Sequence, residues 1–316
     1  MNDHSLRFST DNIPEKDRMP YWREVFGRCI VRADIQPLTD APFHGEAVLA
    51  AMPDLRLMHA HGSNLRGTRT RALAADGNDD VILFVFGSGS GTGLFGGREI
   101  TMQPGDAVLY SSAEFGFMNA AQASTFSIPL ALMKAMVPTV EDLFGKCVAR
   151  DNPVLRLLTD YAGRPPDALA ATPELAQAVS LHIRDLVALA LGAATRDATE
   201  TALGRGVRAA RLRAIKNDIL NLLDRHALSI DDAVKRHGLS EPYIRKLFAA
   251  EGTSFTEYVT QQRLNRAWRM LRDPRLQKLS ISLIAYDAGF HDLSYFNRVF
   301  RKRYGMTPSD ARAGRT

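Results

Sequence analysis

Asn297, Arg298, Arg301 and Lys302 follow one another at steps that a helix of 3.6 residues per turn gathers on one side. Phe296, Val299 and Phe300 fall on the opposite side. An apolar inner face with an outer face of amide, guanidinium and ammonium groups suits a polyanion with readable edges. Arginine pairs with guanine, asparagine with adenine, and lysine neutralises phosphate. The residues just before supply a frame. Ser280 is an N-cap candidate, Ile281, Ile284 and Ala285 keep a helical apolar period, and Gly289 can stop the turn in a left-handed conformation before Phe290. Two short helices about a glycine turn, the second starting near Asp292, predict a helix-turn-helix with its recognition helix. The plain alternative is a helical hairpin with a solvated charged face, the more frequent fate of a charge run.

An earlier copy weighs against that alternative. In Ser229–Phe248, Val234 matches Ala285, Gly238 matches Gly289 and Leu239 matches Phe290. With one residue added in the second copy, Ile244, Leu247 and Phe248 match Phe296, Val299 and Phe300, and Arg245 and Lys246 stand beside them as Arg298 and Arg301 do. Between the copies, Phe255, Tyr258, Val259, Leu264, Trp268 and Leu271 predict one helix over Ser254–Leu271, roughly 27 Å long at 1.5 Å per residue. A rod of that length can hold two recognition helices about one DNA turn apart, ~34 Å.

The segment from about Gly206 to Arg312 resembles the DNA-binding domain of the AraC/XylS family of bacterial transcription regulators. The resemblance is carried by Ile284-Ala285, Gly289-Phe290, Ser294-Tyr295-Phe296, Arg298, Phe300, Tyr304-Gly305 and Thr307-Pro308. Arg263-Leu264, Ala267 and Gly252-Thr253-Ser254-Phe255 support it. The candidate DNA-binding residues are Ser240, Glu241, Pro242, Tyr243, Arg245 and Lys246 in the first copy. In the second they are His291, Asp292, Leu293, Ser294, Asn297, Arg298, Arg301 and Lys302. The resemblance puts base contacts at Asp292, Leu293, Ser294, Asn297 and Arg298. Leu293 departs from the polar residue common there, and would meet a thymine methyl or read nothing. Arg301 and Lys302, with Lys235 and Arg236 ahead of the first turn, are expected on phosphates. The resemblance also implies activation rather than repression and RNA polymerase as a partner.

Composition agrees with a nucleic-acid partner. At 316 residues the prior is two domains. Residues 205–316 hold 22 Lys and Arg against 11 Asp and Glu, a net of +11, whereas residues 1–204 hold 18 against 24, a net of −6. A basic third on an acidic body attracts a polyanion to one place and limits sticking elsewhere. Cys29 and Cys147 form no metal or redox motif, so a reducing cytoplasm is the default expectation. The stretch through Asn12 is polar, with no signal peptide, and no apolar run approaches a membrane span.

The first 191 residues read differently. An amphipathic helix is expected over 14–28, ended by Gly27. Short strands are expected at Val31–Ile35, Phe43–Leu49, Leu55–His61, Val81–Phe86, Glu99–Met102 and Ala107–Tyr110, with turns at Asp76–Asp80, 87–97 and Gln103–Asp106. Strands and turns at roughly 8–12-residue spacing predict a small antiparallel barrel or sandwich. Helices are expected at Leu130–Met136, Val140–Leu143, Pro153–Tyr161 and Pro173–Leu191, then a small, polar linker at 192–206. This layout is similar to the cupin-like ligand-binding domain of many family members. The expected fold is therefore α+β in two domains. Residues 1–191 would sense an effector and dimerise, with a barrel at about 30–127 and helices at about 130–191. Residues 207–316 would form the all-α double helix-turn-helix.

Other chemistry in this half is weaker. Gly91-Thr92-Gly93-Leu94-Phe95-Gly96 satisfies a dinucleotide fingerprint, yet the residues after it are strand-like, so the glycines read as hairpin residues. His59 and His61 share a strand face, but Pro104-Gly105-Asp106 leads into Ala107, Val108 and Leu109 and brings no further ligand, so no metal is expected. Arg66, Arg69 and Arg71 could clamp an anionic effector, or be solvated strand charges. No nucleophile-base-orienter set, HExxH or P-loop occurs, so neither an enzyme nor a cofactor is expected. In Pro173–Leu191, Ala176, Val179, Ile183, Leu186 and Ala190 form a seam that suits either a homodimer coiled coil or the domain's own core.

Overall fold

In the computed structural model, which describes residues 5–163, 172–223 and 228–313, the chain divides into two units, Met1–Ala210 and Arg211–Thr316. The first is built on one sheet. Its strands are β1 (Ser5–Ser9), β2 (Asp34–Pro37), β3 (Gly45–Met52), β4 (Leu55–Arg69), β5 (Val81–Ser88), β6 (Thr92–Phe95), β7 (Arg98–Thr101), β8 (Ala107–Ser111), β9 (Gly116–Ile128) and β10 (Cys147–Val148). The main order is β1-β3-β4-β9-β5-β8-β10, with β2 on β4 and the β6–β7 hairpin on β9. Long strands β4 and β9 are the spine. Their register shifts between His61 and Leu65, so one half of each carries β3 and β5 and the other half carries β2 and β6. A bulge there bends the sheet and makes one face concave.

The expected barrel does not close. The ladder runs as a path from β1 to β10, and among the described residues no pairing joins its ends. Full closure would need one continuous run of partners; here a bend in two long strands supplies the curvature instead. The Gly91–Gly96 stretch falls in the β6–β7 hairpin, with Phe95 opposite Arg98.

Residue alternation sorts the two faces. Leu55, Leu57, Leu83, Leu109 and Phe126 point to a core shared with the helices α3 (Leu130–Met136), α4 (Pro153–Ala162) and α5 (Pro173–Ala190). Ala176, Val179, Ile183, Leu186 and Ala190 of α5 lie in that same core, between 0% and 4% exposed. The seam is therefore core. Phe84, Phe86, Phe95, Val108 and Met118 cluster on the opposite face.

Two segments differ from their expected form. Gly27 does not end the first helix: α1 (Glu15–Tyr21) continues as π-helical turns over Trp22–Val31. A Cβ on Gly27 would lie 3.0 Å from the Ala33 carbonyl and 3.1 Å from Ile35, so the glycine lets β2 pack close. Residues 192–206, expected as a linker, hold helix α6 (Arg196–Gly204). Thr195 caps it and Ala202 is fully buried. Arg205 then makes a two-bond pair with Asp185, which is 1% exposed.

Helix α7 (Gly206–Asn221) runs across the division. Among the described residues, the second unit is helical: α8 (Ile230–His237), α9 (Glu241–Ala249), α10 (Phe255–Arg272), α11 (Ile281–Asp287), α12 (Leu293–Tyr304) and α13 (Pro308–Arg312). Ser229–Asp232, Ser254–Glu257 and Thr307–Asp310 are reciprocal capping boxes, which fix where α8, α10 and α13 begin. Helix α10 serves two cores. Phe255 and Val259 pack with Ile219, Ala233, Ile244 and Phe248, whereas Leu264, Ala267 and Leu271 pack with Ile284, Phe290, Phe296 and Phe300.

Candidate nucleic-acid interface

The interface is assembled from the caps outward. Asp292 accepts backbone hydrogen bonds from Ser294 at 2.7 Å and Tyr295 at 3.0 Å. Its carboxylate is thus engaged in starting α12 and orients the first turn of that helix. Phe296 and Phe300 are 0% exposed, and this anchors the rotation of the helix. Leu293, Ser294, Asn297, Arg298, Arg301 and Lys302 are left at the surface. The Arg298 guanidinium lies 5.5 Å from the Tyr295 ring centre, a contact that supports the side chain and leaves its charge uncancelled. Among the described residues, Arg298, Arg301 and Lys302 have no salt bridge within 4.0 Å. With Ile281, Thr307 and Ser309 they line one surface cleft.

The first copy is less free. Arg245 of α9 donates to Glu241 one helical turn back, 2.8 Å from Nε, so its charge is partly cancelled. Tyr243 is half-buried, with the Arg211 guanidinium 5.5 Å from its ring. Ser240, Pro242 and Lys246 are exposed, and the Ser240 side chain makes no capping bond. Arg236 is drawn 3.2 Å from Asp218, whereas Lys235 stays exposed. His291 lies at the surface before α12. The structure thus brings Leu293, Asn297, Arg298, Arg301 and Lys302 of the second copy to one cleft, with Asp292 engaged in the cap. In the first copy it diverts Tyr243, Arg245 and Arg236 into contacts within the protein.

The turn glycines differ as well. Gly238 has φ of +61° with open space around it. Gly289 has φ of +99°, and a Cβ there would lie 2.3 Å from the Leu223 carbonyl and 2.6 Å from Arg263 Nε. Burial lowers the Arg263 pKa from its ordinary value. Sequence offered no sign that Arg263 would wall in this turn, because the contact joins positions 26 residues apart in the chain.

A second site lies in the Met1–Ala210 unit, on the concave sheet face. A cavity of about 840 Å³ is lined by Phe26, Leu65, Phe84, Phe95 and Met118, with Arg69, Tyr110 and Glu114 among its polar groups. Of the three arginines expected around an effector, Arg69 alone lines it. Arg69 donates to the carbonyls of Ser112 and Arg32 and to Asp76. Arg66 donates to Asn119 and stacks over Phe117 at 4.5 Å, and Arg71 sits 4.8 Å over the Phe115 ring. The three do not converge. Burial pushes the Tyr110 pKa up to about 12, so its hydroxyl stays protonated. The sequence signal for this cavity was the unbroken apolar run Val81–Phe86, since a strand apolar on both sides is covered on both sides. His59, one of the two strand histidines, is held by Ser124 at 2.7 Å and the Ala162 carbonyl at 3.0 Å.

Residues 233–314 match the family described as "Helix-turn-helix domain". The chain is 37% identical to the "Transcriptional activator RhrA" of Rhizobium meliloti (strain 1021) over 159 residues, 50% of this chain and 48% of that one. It is 26% identical to the "Uncharacterized HTH-type transcriptional regulator YijO" of Escherichia coli (strain K12) over 230 residues, 68% of this chain and 76% of that one. It thus spans about half the length of the rhizobial relative. The crystal structure of "the AraC-like transcriptional activator CuxR" superposes with a TM-score of 0.50 at 19% identity, over 83% of this chain and 95% of that one, a likeness of fold. The C-terminal unit thus carries a helix-turn-helix domain over residues 233–314.

Proposed function

We propose that the chain is a sequence-specific, DNA-binding transcription regulator that activates its targets and responds to a small molecule held in the concave cavity. The observation that carries the reading is the α12 surface, where Asn297, Arg298, Arg301 and Lys302 stand free on a helix fixed by Asp292 and by two buried phenylalanines. The net +11 of residues 205–316 supports a polyanionic partner. The cavity supports an effector-responsive protein over one whose sheet domain only assembles copies. Double-stranded DNA, the effector and RNA polymerase are the proposed partners, in a cytoplasmic setting. A homodimer would use a surface other than the α5 seam, because that seam is buried.

The test is selection from random duplex DNA with the whole chain, and then affinity measurements across salt. Arg298→Ala is expected to relax preference at one base position, a loss of about 1–3 kcal/mol of discrimination. Arg301→Ala is expected to weaken all sequences alike and to lower the salt slope by roughly one unit. An unchanged sequence preference in Arg298→Ala would remove that residue from base reading. Failure of the intact chain to enrich any sequence would sink the reading itself.

A further inference from the structure

We propose that the concave cavity takes an organic cation: an apolar or aromatic body with an ammonium or amidinium group that meets Glu114 beside the rings of Phe95 and Tyr110. This rests on the reading that the cavity holds the effector, and it adds the effector's charge and class.

The charges around the cavity decide the class of ligand. Three arginines line it, which at first favours an anion. Two of them are already engaged, and the third faces solvent. Arg56 pairs with Asp80. Arg69 commits its guanidinium to two carbonyls and both oxygens of Asp76, at 3.0 and 3.1 Å. Arg32 is exposed, with its charge acting on Asp76. Glu114 is different. It lines the cavity, pairs with no cation within 4.0 Å among the described residues, and has its Oε2 buried without a hydrogen-bond donor.

Its surroundings point the same way. A Cβ built on Gly96 would lie 3.5 Å from that Oε2, which puts the carboxylate against the β6–β7 turn, next to Phe95. The Phe95 ring stacks on Tyr110 with centres 4.4 Å apart and planes at 27°. A carboxylate oxygen buried without a donor is costly, and an entering N–H cation relieves that cost. Aromatic faces carry negative quadrupole potential and favour the same sign of ligand. An anion would meet an uncompensated carboxylate and ring faces together. At about 840 Å³ the cavity is of the size that takes a drug-sized molecule.

The test uses the full chain and three probes of matched tail: octylammonium, octanoate and octanol, titrated calorimetrically and by thermal shift. The cation is expected to bind at least ~10-fold more tightly than either other probe, with Glu114→Gln losing that preference, since one charge-assisted contact is worth about that factor. The wild-type comparison of the three probes holds even where the variant folds poorly. Equal binding of all three, a preference for octanoate, or a preference that Glu114→Gln leaves intact overturns the cation while the cavity reading stands. No binding by any probe overturns both.

Discussion

At the residue scale, the two turn glycines look interchangeable in sequence and are not so in space. Both need positive φ, which disfavours any side chain. Only Gly289 is also walled in, by the Leu223 carbonyl and Arg263. Gly238→Ala is expected to destabilise the Arg211–Thr316 unit by about 1 kcal/mol, the conformational cost alone. Gly289→Ala adds a clash with backbone that cannot yield, and roughly 2–4 kcal/mol is expected. Urea unfolding of the two variants checks this; equal losses would show that the Arg263 wall moves aside. The charges differ between the copies in the same way. Both recognition helices carry arginines beside their apolar residues, yet Glu241 ties up Arg245 while Arg298, among the described residues, makes no salt bridge. Sequence shows that both helices are basic, whereas an ion pair one helical turn away decides which charge is available.

At the element scale, α5 shows how one periodicity fits two fates. Its apolar seam at steps of three and four is what a coiled coil needs, and also what any helix on a sheet needs. Burial of Ile183 and Leu186 at 0% against Leu57, Leu83 and Phe126 decides for the second. Ile183→Glu is therefore expected to abolish cooperative folding of the Met1–Ala210 unit, since an unpaired carboxylate there costs more than about 4 kcal/mol. A variant that melts normally but sediments as a monomer would reinstate the seam as an interface. The neighbouring α6 was hidden because its residues are small and polar in composition. What makes it a helix is the Thr195 cap, the burial of Ala202, and the Arg205–Asp185 pair, none of which a composition-based linker reading weighs.

At the scale of the whole molecule, acid stability is expected to be set by the Met1–Ala210 unit. Burial lowers the pKa of His59, opposed by the Ala162 carbonyl, and of His182, where Arg205 also lowers it and Asp185 opposes. The folded chain therefore holds fewer protons than the unfolded one just below the ordinary histidine value of ~6.5. Stability from these groups is present above about pH 6.5 and is lost as pH falls through the folded values. Melting of this unit is expected to fall between pH 7.5 and pH 5, before the exposed carboxylates titrate. His182→Gln should flatten part of that dependence. A melting temperature that is level across this range would contradict the histidine assignment.

Much of the C-terminal unit was legible from sequence alone. Capping serines, a glycine between two amphipathic turns and buried aromatics at helical spacing are local signals, and the repeat stated them twice. The helices at Leu130–Met136 and Pro153–Ala162 were legible for the same reason, each opened by a residue that fits a helix start. Sheet closure, the cavity and the partners of its charged groups were not. They depend on pairings such as Arg66 with Asn119 or Leu57 with Phe126, between residues 53 and 69 positions apart. A strand's period of two states that it has two faces, but not what each face meets. Sequence by itself determined that the chain carries a duplicated helix-turn-helix with a basic surface. Only the tertiary structure decided which of those charges are free, that the α5 seam is core, and that one carboxylate oxygen of Glu114 is buried without a donor. Charge availability and burial are properties of neighbours in space, and those neighbours are distant in the chain.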